Sequence, residues 1–237
     1  MKRKTLAVLA AAITIITLFP ETIHAEIYKS ERGTHRAYIS GYTDGTIRPE
    51  KYLTREEAAA VFYNLLDLEE TKIRTTFKDV GYDRWSWEAI AALASEGVVS
   101  GDEGMFRPED NITRAEMAVM ISKFAKLDGG TKTFSDIEGH WAQKYIEAAV
   151  SEGWMAGYTD GEFKPNNYVT RAEAVFFINN ALHRNPENMD DMLNDMKVWT
   201  DNTDTDKWYY ADIQEASNTH EYVRKENGSE MWNLVID

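Results

Sequence analysis

Cysteine is absent from all 237 residues. That excludes disulfides, thiolate-held zinc, iron–sulfur clusters, a thiol nucleophile and a lipid-modified cysteine anchor. Basic charge is scarce: 26 Lys and Arg face 40 Asp and Glu, a formal net charge of −14, and the only basic run is Lys2-Arg3-Lys4. A chain this acidic with no basic patch repels phosphate, so no nucleic-acid partner is expected. Long apolar runs are missing beyond residue 25. Residues 1–25 read as an export signal, with that basic run, an apolar stretch from Leu6 to Phe19, the breaker Pro20 and a small residue, Ala25, at the cut. Fourteen residues rise about 21 Å, short of a hydrocarbon core of ~30 Å, so cleavage rather than membrane anchoring is expected. Losing three cations and Glu21 takes the net charge from −14 to −16.

Catalytic motifs are missing too. There is no G-x-S-x-G, no H-E-x-x-H and no P-loop. His35, His140, His183 and His220 sit at unmatched positions with no metal-ligand spacing, and Asp201-x-x-Asp204-x-Asp206 lacks the Gly and terminal Glu of a calcium loop. The expectation is no catalytic residue, no metal, no cofactor and no enzyme activity.

What is present is a core-forming composition, 43% hydrophobic and 12% aromatic, and a repeat. Residues 41–57, GYTDGTIRPEKYLTREE, and 157–173, GYTDGEFKPNNYVTRAE, match at ten of seventeen positions. Residues 101–116, GDEGMFRPEDNITRAE, form a third copy one residue shorter. A front half precedes two of them: Phe77-x-Asp79 leads to Trp85 and Ile90, and Phe134-x-Asp136 to Trp141 and Ile146. The first copy has none. Its counterpart stands near the C-terminus, where Trp199-x-Asp201 leads to Trp208 and Ile213. The chain divides into a back half (35–68), two whole repeats (77–127 and 134–184), a front half (199–223) and a terminal hairpin or tail (224–237), all within a mature module of 26–237. An open solenoid would leave both half repeats with an uncovered apolar face. The expected architecture is therefore mainly α: a pseudo-threefold bundle of three helix–loop–helix repeats closed by the chain's own termini.

Each back half announces a helix. Thr54-x-x-Glu57, Thr113-x-x-Glu116 and Thr170-x-x-Glu173 are capping boxes followed by apolar residues at helical spacing. The front halves predict shorter helices from the Trp onward. Asp44-Gly45, Glu103-Gly104 and Asp160-Gly161 mark turns, and Pro49, Pro108 and Pro165 break the chain before each cap. Residues 69–76, 128–133 and 185–195 read as surface linkers, and 221–234 as a β-hairpin about Asn227-Gly228.

The pattern F-x-D…W…I…G…GY-x-DG-x-F-x-P…TRAE, nearly complete at 134–173, resembles the S-layer homology (SLH) domain. The resemblance implies a three-repeat pseudo-trimer that holds an exported protein on the bacterial cell wall or S-layer. It implies binding of an anionic secondary cell-wall polysaccharide, often pyruvylated, in grooves between repeats. The family's TRAE arginine, associated with that anion, falls on Arg55, Arg114 and Arg171. The second repeat departs at Gly101-Asp102-Glu103-Gly104, which lacks the Tyr of the other copies and adds acid.

Each of these arginines opens a helix, where a cation is disfavoured by roughly 0.3–1 kcal/mol. A guanidinium with free helix-end amides would suit a carboxylate. A carboxylate of a neighbouring repeat is the other candidate partner. For Trp85, Trp141 and Trp208 two roles stand: stacking on sugar faces, or wedging the front helix into the core. Gly41, Gly101 and Gly157 either admit backbone close to a sugar or satisfy a turn. The expected function is non-covalent surface anchoring through cell-wall polysaccharide. The alternative is a structural subunit or adaptor of a surface coat with other surface proteins as partners.

Overall fold

The structure, a computed structural model, describes residues 32–66 and 77–236. The export signal and the linker at 69–76 lie outside the described residues. In chain order the elements are β1 (Arg32–His35), α1 (Arg55–Leu65), α2 (Trp87–Ser95), α3 (Arg114–Phe124), α4 (Gln143–Ser151), α5 (Arg171–Leu182), α6 (Tyr210–Ser217), β2 (Thr219–Arg224) and β3 (Glu230–Ile236). Short 3₁₀ turns occupy Ser135–Ile137 and Met189–Asp191.

All three capping boxes form: Thr54, Thr113 and Thr170 accept from the N3 amide, and each N3 Glu returns a bond to the cap. Each cap contributes about 1 kcal/mol and fixes where its helix begins. The front helices start two residues after their Trp, at Trp87, Gln143 and Tyr210, so the repeat tryptophans sit in the entering turn. Gly97 (φ +73°) and Gly153 (φ +78°) close α2 and α4 in the left-handed region. The helix α6 has no such glycine because its cap, Asn218, is extended (φ −117°) and runs straight into β2.

Back and front helices pack in pairs, α1 on α2, α3 on α4 and α5 on α6. At the centre, three fully buried residues close a ring of backbone hydrogen bonds. The Leu53 amide donates to Val169 O (2.9 Å), that of Ile112 to Leu53 O (2.9 Å) and that of Val169 to Ile112 O (3.1 Å). Around this axis Ile90, Ile146 and Ile213 are also fully buried. Each front half is clasped to a back half by one aspartate. Asp79 accepts from the amides of Phe106 and Arg107 (2.8 and 2.7 Å), and Asp136 from those of Phe163 and Lys164 (3.0 and 2.7 Å). Asp201 accepts from those of Ile47 and Arg48 (both 2.8 Å), across more than 150 residues. The split repeat is thereby completed as the two half repeats require.

A three-stranded antiparallel sheet of order β1-β2-β3 reinforces that closure, with Arg32 opposite Val223 and His35 opposite His220. The hairpin is wider than its alternation predicts, and its third strand, β1, carries no sequence signal. The stretch 185–195 is more than a surface linker. Asp191 within it is buried and holds Lys225 of the hairpin turn at 2.6 Å.

Candidate functional site

The three TRAE arginines are nearly enclosed: Arg55 is 8% exposed, Arg114 3% and Arg171 4%. Each reaches across to another repeat's loop. Arg55 Nε donates to Phe106 O (2.8 Å) and Nη2 to Ser100 O (3.2 Å). Arg114 donates to Phe163 O (2.9 Å) and Ala156 O (2.6 Å). Arg171 donates to Ile47 O (2.8 Å) and Ser40 O (3.0 Å). These bonds tie each helix start to the loop beyond it. The Nε bonds satisfy the carbonyls of the buried residues Phe106, Phe163 and Ile47. Burial lowers the pKa of all three guanidinium groups.

The helix-end amides do not add to an anion site, contrary to the sequence expectation. The first two amides of α1 donate to Asp110 O and Pro108 O. Those of α3 donate to Asn167 O and Pro165 O, and those of α5 to Lys51 O and Pro49 O. The third amide is held by the threonine cap.

The guanidinium groups nevertheless differ. Arg55 Nη1 forms an ion pair with Glu116 of the next repeat. Among the described residues no carboxylate lies within 4.0 Å of Arg114 or Arg171, and neither Nη1 has a hydrogen-bond partner. Both lie against tyrosine rings instead: Arg114 stands 4.7 Å from the Tyr158 centroid and Arg171 5.2 Å from that of Tyr42. From sequence, the acid-bearing loop at 101–104 is grouped with Arg114. In the structure Gly101 and Asp102 share a groove with Arg55, because each arginine serves the following repeat.

That groove holds about 500 Å³ and is lined by Arg55, Gly101, Asp102, Arg107, Glu116 and Trp141, among others. Trp141 is 64% exposed, Trp85 64% and Trp208 58%, so none wedges into the core. By the order of the repeats, Trp208 and Trp85 are the counterparts of Trp141 for Arg114 and Arg171. Trp208 also meets Phe176 of α5 edge-on at 5.8 Å. The glycines have packing roles. A Cβ at Gly41 would come within 2.6 Å of Trp199 Cε3, at Gly101 within 2.7 Å of Phe77 Cε1 and at Gly157 within 2.8 Å of Phe134 Cζ. Gly101 lines the groove as well.

A second set of cations escapes the sequence reading. Arg48, Arg107 and Lys164 precede the three prolines and hold φ of +53°, +57° and +58°. A side-chain-bearing residue there costs about 1–2 kcal/mol, met here by the aspartate clasp on each amide. Arg107 lines the Arg55 groove, and Arg48 and Lys164 lie over the Tyr42 and Tyr158 rings. Arg107 lies 3.7 Å from Glu116, Arg48 pairs with Asp44 (2.8 Å) and Lys164 with Asp160 (2.5 Å). The recurrence of Arg or Lys before Pro in every copy was the available signal. Glu56 stands where the other TRAE motifs have Ala. It is buried and accepts from Arg84 (2.7 Å) and Ser86 (2.6 Å).

The S-layer homology domain pattern matches residues 34–59, 76–118 and 133–175. Cell surface glycoprotein 1 of Acetivibrio thermocellus is 36% identical over 222 residues, covering 86% of this chain and 9% of that protein. The cellulosome-anchoring protein of the same organism is 38% identical over 230 residues, covering 92% of this chain and 50% of that protein. An S-layer protein of Bacillus licheniformis is 37% identical over 161 residues, covering 64% of this chain and 18% of that protein. The chain thus spans half the length, or much less, of these relatives. The first matched segment covers a back half alone, in keeping with the repeat that the fold completes from its other end. Through these three segments the chain belongs to the S-layer homology domain family.

Proposed function

We propose that this chain is a non-enzymatic anchor. It holds its bearer at the bacterial cell surface by gripping an anionic, pyruvate-ketal-bearing cell-wall polysaccharide in the grooves between repeats. The observation that carries this reading is the contrast among the three arginines. Arg55 is paired with Glu116, whereas Arg114 and Arg171 each keep one guanidinium nitrogen without a partner among the described residues. A ketal carboxylate would complete that nitrogen with a charge-assisted bond. Trp141 and Arg107 line the Arg55 groove, and their exposed counterparts in the other repeats, Trp208 with Lys164 and Trp85 with Arg48, would offer an apolar face and a cation to a sugar there. The names of the relatives, a cell surface glycoprotein, a cellulosome-anchoring protein and an S-layer protein, support a surface location. An overall negative charge does not oppose the binding, since repulsion is screened within about 8 Å at physiological salt. Two working grooves on one polymer would add avidity.

The test uses residues outside the core, exposed or half-buried, so that folding is spared. Arg48→Ala with Trp85→Ala in one groove, and Lys164→Ala with Trp208→Ala in the other, should each lower retention on purified wall glycan about tenfold, or about 1.4 kcal/mol. Removing the ketal groups from the glycan should lower retention of the unaltered chain to the level of the fourfold variant. Full retention on ketal-free glycan would overturn the proposal.

A further inference from the structure

Beside the ring closure lies a cluster that anchoring does not use. His35 of β1, Glu215 of α6, His220 of β2 and Glu230 of β3 converge from four elements. Glu215, His220 and Glu230 are fully buried, and His35 is 8% exposed. The contacts are short: His35 Nδ1 to Glu215 Oε1, 2.9 Å; His35 Nδ1 to Glu230 Oε2, 3.5 Å; and His220 Nε2 to Glu215 Oε2, 3.3 Å. The donor atoms of His35, Glu215 and His220 all lie within 4.8 Å of one another.

The hydrogen bonding inside this cluster is incomplete in a directed way. His220 Nδ1 lies 3.0 Å from Asn218 O, an acceptor only, so that nitrogen carries the proton. In the neutral ring Nε2 is then bare, and it faces a carboxylate oxygen while having no hydrogen-bond partner itself. Glu230 is similar: Oε1 accepts from Arg224 at 2.6 Å, while Oε2 has no hydrogen-bond partner and faces His35. Two lone-pair atoms, fully buried and turned inward, are what a cation would satisfy. The surroundings hold them in place. Trp232 stacks on His220 (3.8 Å between centroids) and donates to Glu215 Oε2 (2.8 Å), and Tyr222 lies on His35 (4.1 Å). A histidine that gives its second N–H to a backbone carbonyl has the usual support of a metal ligand.

We infer that His35 Nδ1, His220 Nε2, Glu215 and Glu230 form a binding site for one divalent ion of the zinc class, which clasps the split repeat shut. Two ligand atoms at about 2.0–2.1 Å from a tetrahedral zinc stand roughly 3.3 Å apart, close to the separations found here. Two imidazoles favour zinc, nickel or cobalt over magnesium and calcium, which prefer all-oxygen shells. Among the described residues Arg224 is the one Lys or Arg within ion-pair distance of Glu215 or Glu230, which leaves the cluster able to take a dication. All four coordination positions come from protein, which makes the site structural rather than catalytic.

The test takes the whole secreted chain through EDTA and dialysis, then adds ZnCl₂ with excess MgCl₂ present. One equivalent of zinc should bind and raise the melting temperature, and CoCl₂ should give the visible bands of four-coordinate cobalt. Glu230→Gln should weaken zinc at least tenfold, and His220→Asn should abolish its uptake. Should either variant fail to fold, imidazole ¹⁵N shifts of the unaltered chain decide. Zinc should move His35 Nδ1 and His220 Nε2. Absence of uptake, binding unchanged in both folded variants, or unmoved imidazole signals would each overturn the inference and leave a hydrogen-bonded cluster without metal.

Discussion

Under the proposed function a single guanidinium does two things at once. Two nitrogens of Arg171 hold backbone carbonyls of the first repeat's loop while the third has no partner among the described residues, so stability and the proposed binding would share one side chain. Replacing it would confound the two, which is why exposed neighbours make better probes. Elsewhere polar burial serves closure alone. Asn179, fully buried, donates to Asp212 Oδ1 (2.9 Å) and accepts from Tyr38 (2.6 Å), joining α5, α6 and the segment after β1. Burial raises the Asp212 carboxyl from 3.8 to about 6, and the nearby Glu215 charge adds to the rise. Between those values the folded chain keeps a proton that the unfolded chain has shed. This group's contribution is therefore whole below the lower value and lost as pH climbs through the upper one. Asp212→Asn cannot lose that proton and still accepts from Asn179. The variant should match the parent in urea unfolding near pH 3.5 and exceed it by about 1–3 kcal/mol at pH 7.5, discounted for partial solvent access. Parallel curves for the two proteins would remove the buried acid from the account.

Each helix–loop–helix element depends on a ring lying flat on a glycine. A methyl group at position 157 would stand 2.8 Å from Phe134 Cζ and overlap Cε1 of the same ring. Gly157→Ala should cost about 2–3 kcal/mol by overpacking, and the loss should shrink when Phe134→Leu is combined with it, a coupling that a double-mutant cycle in urea reads directly. This element is also what the sequence spells out best. Caps, turn glycines, prolines and the Trp-to-Ile spacing are local relations within about twenty residues, and the structure has them as spaced. The half repeats were legible for the same reason, since an unmatched half has an apolar face to cover. Contacts between repeats were not. Nothing local says that Arg55 serves the loop at 98–107, that Glu56 pairs with Arg84, or that His35 meets His220 about 185 residues away. The cations at positive φ were hidden too, because the usual residue for that backbone is Gly or Asn rather than Arg or Lys before proline.

Closure makes the molecule more than three repeats in a row. In a linear array each repeat answers only to its neighbours and the ends fray first. Here Leu53, Ile112 and Val169 exchange hydrogen bonds head to tail about the axis, and Asp201 carries the last clasp from the front half at 199–223 back to Ile47 and Arg48. No repeat can leave without opening the ring, so the three central amides should exchange with solvent only through global unfolding. Native-state hydrogen exchange should give Leu53, Ile112 and Val169 the same free energy, equal to that from urea unfolding. Asp201→Ala strands two amides and should cost about 2–4 kcal/mol. Because the ring is shared, that loss should fall equally on all three amides, although Asp201 belongs to one clasp only. A drop at Leu53 with Ile112 and Val169 unmoved would mean that the repeats open singly, and that the joining of the two half repeats holds only its own third of the molecule.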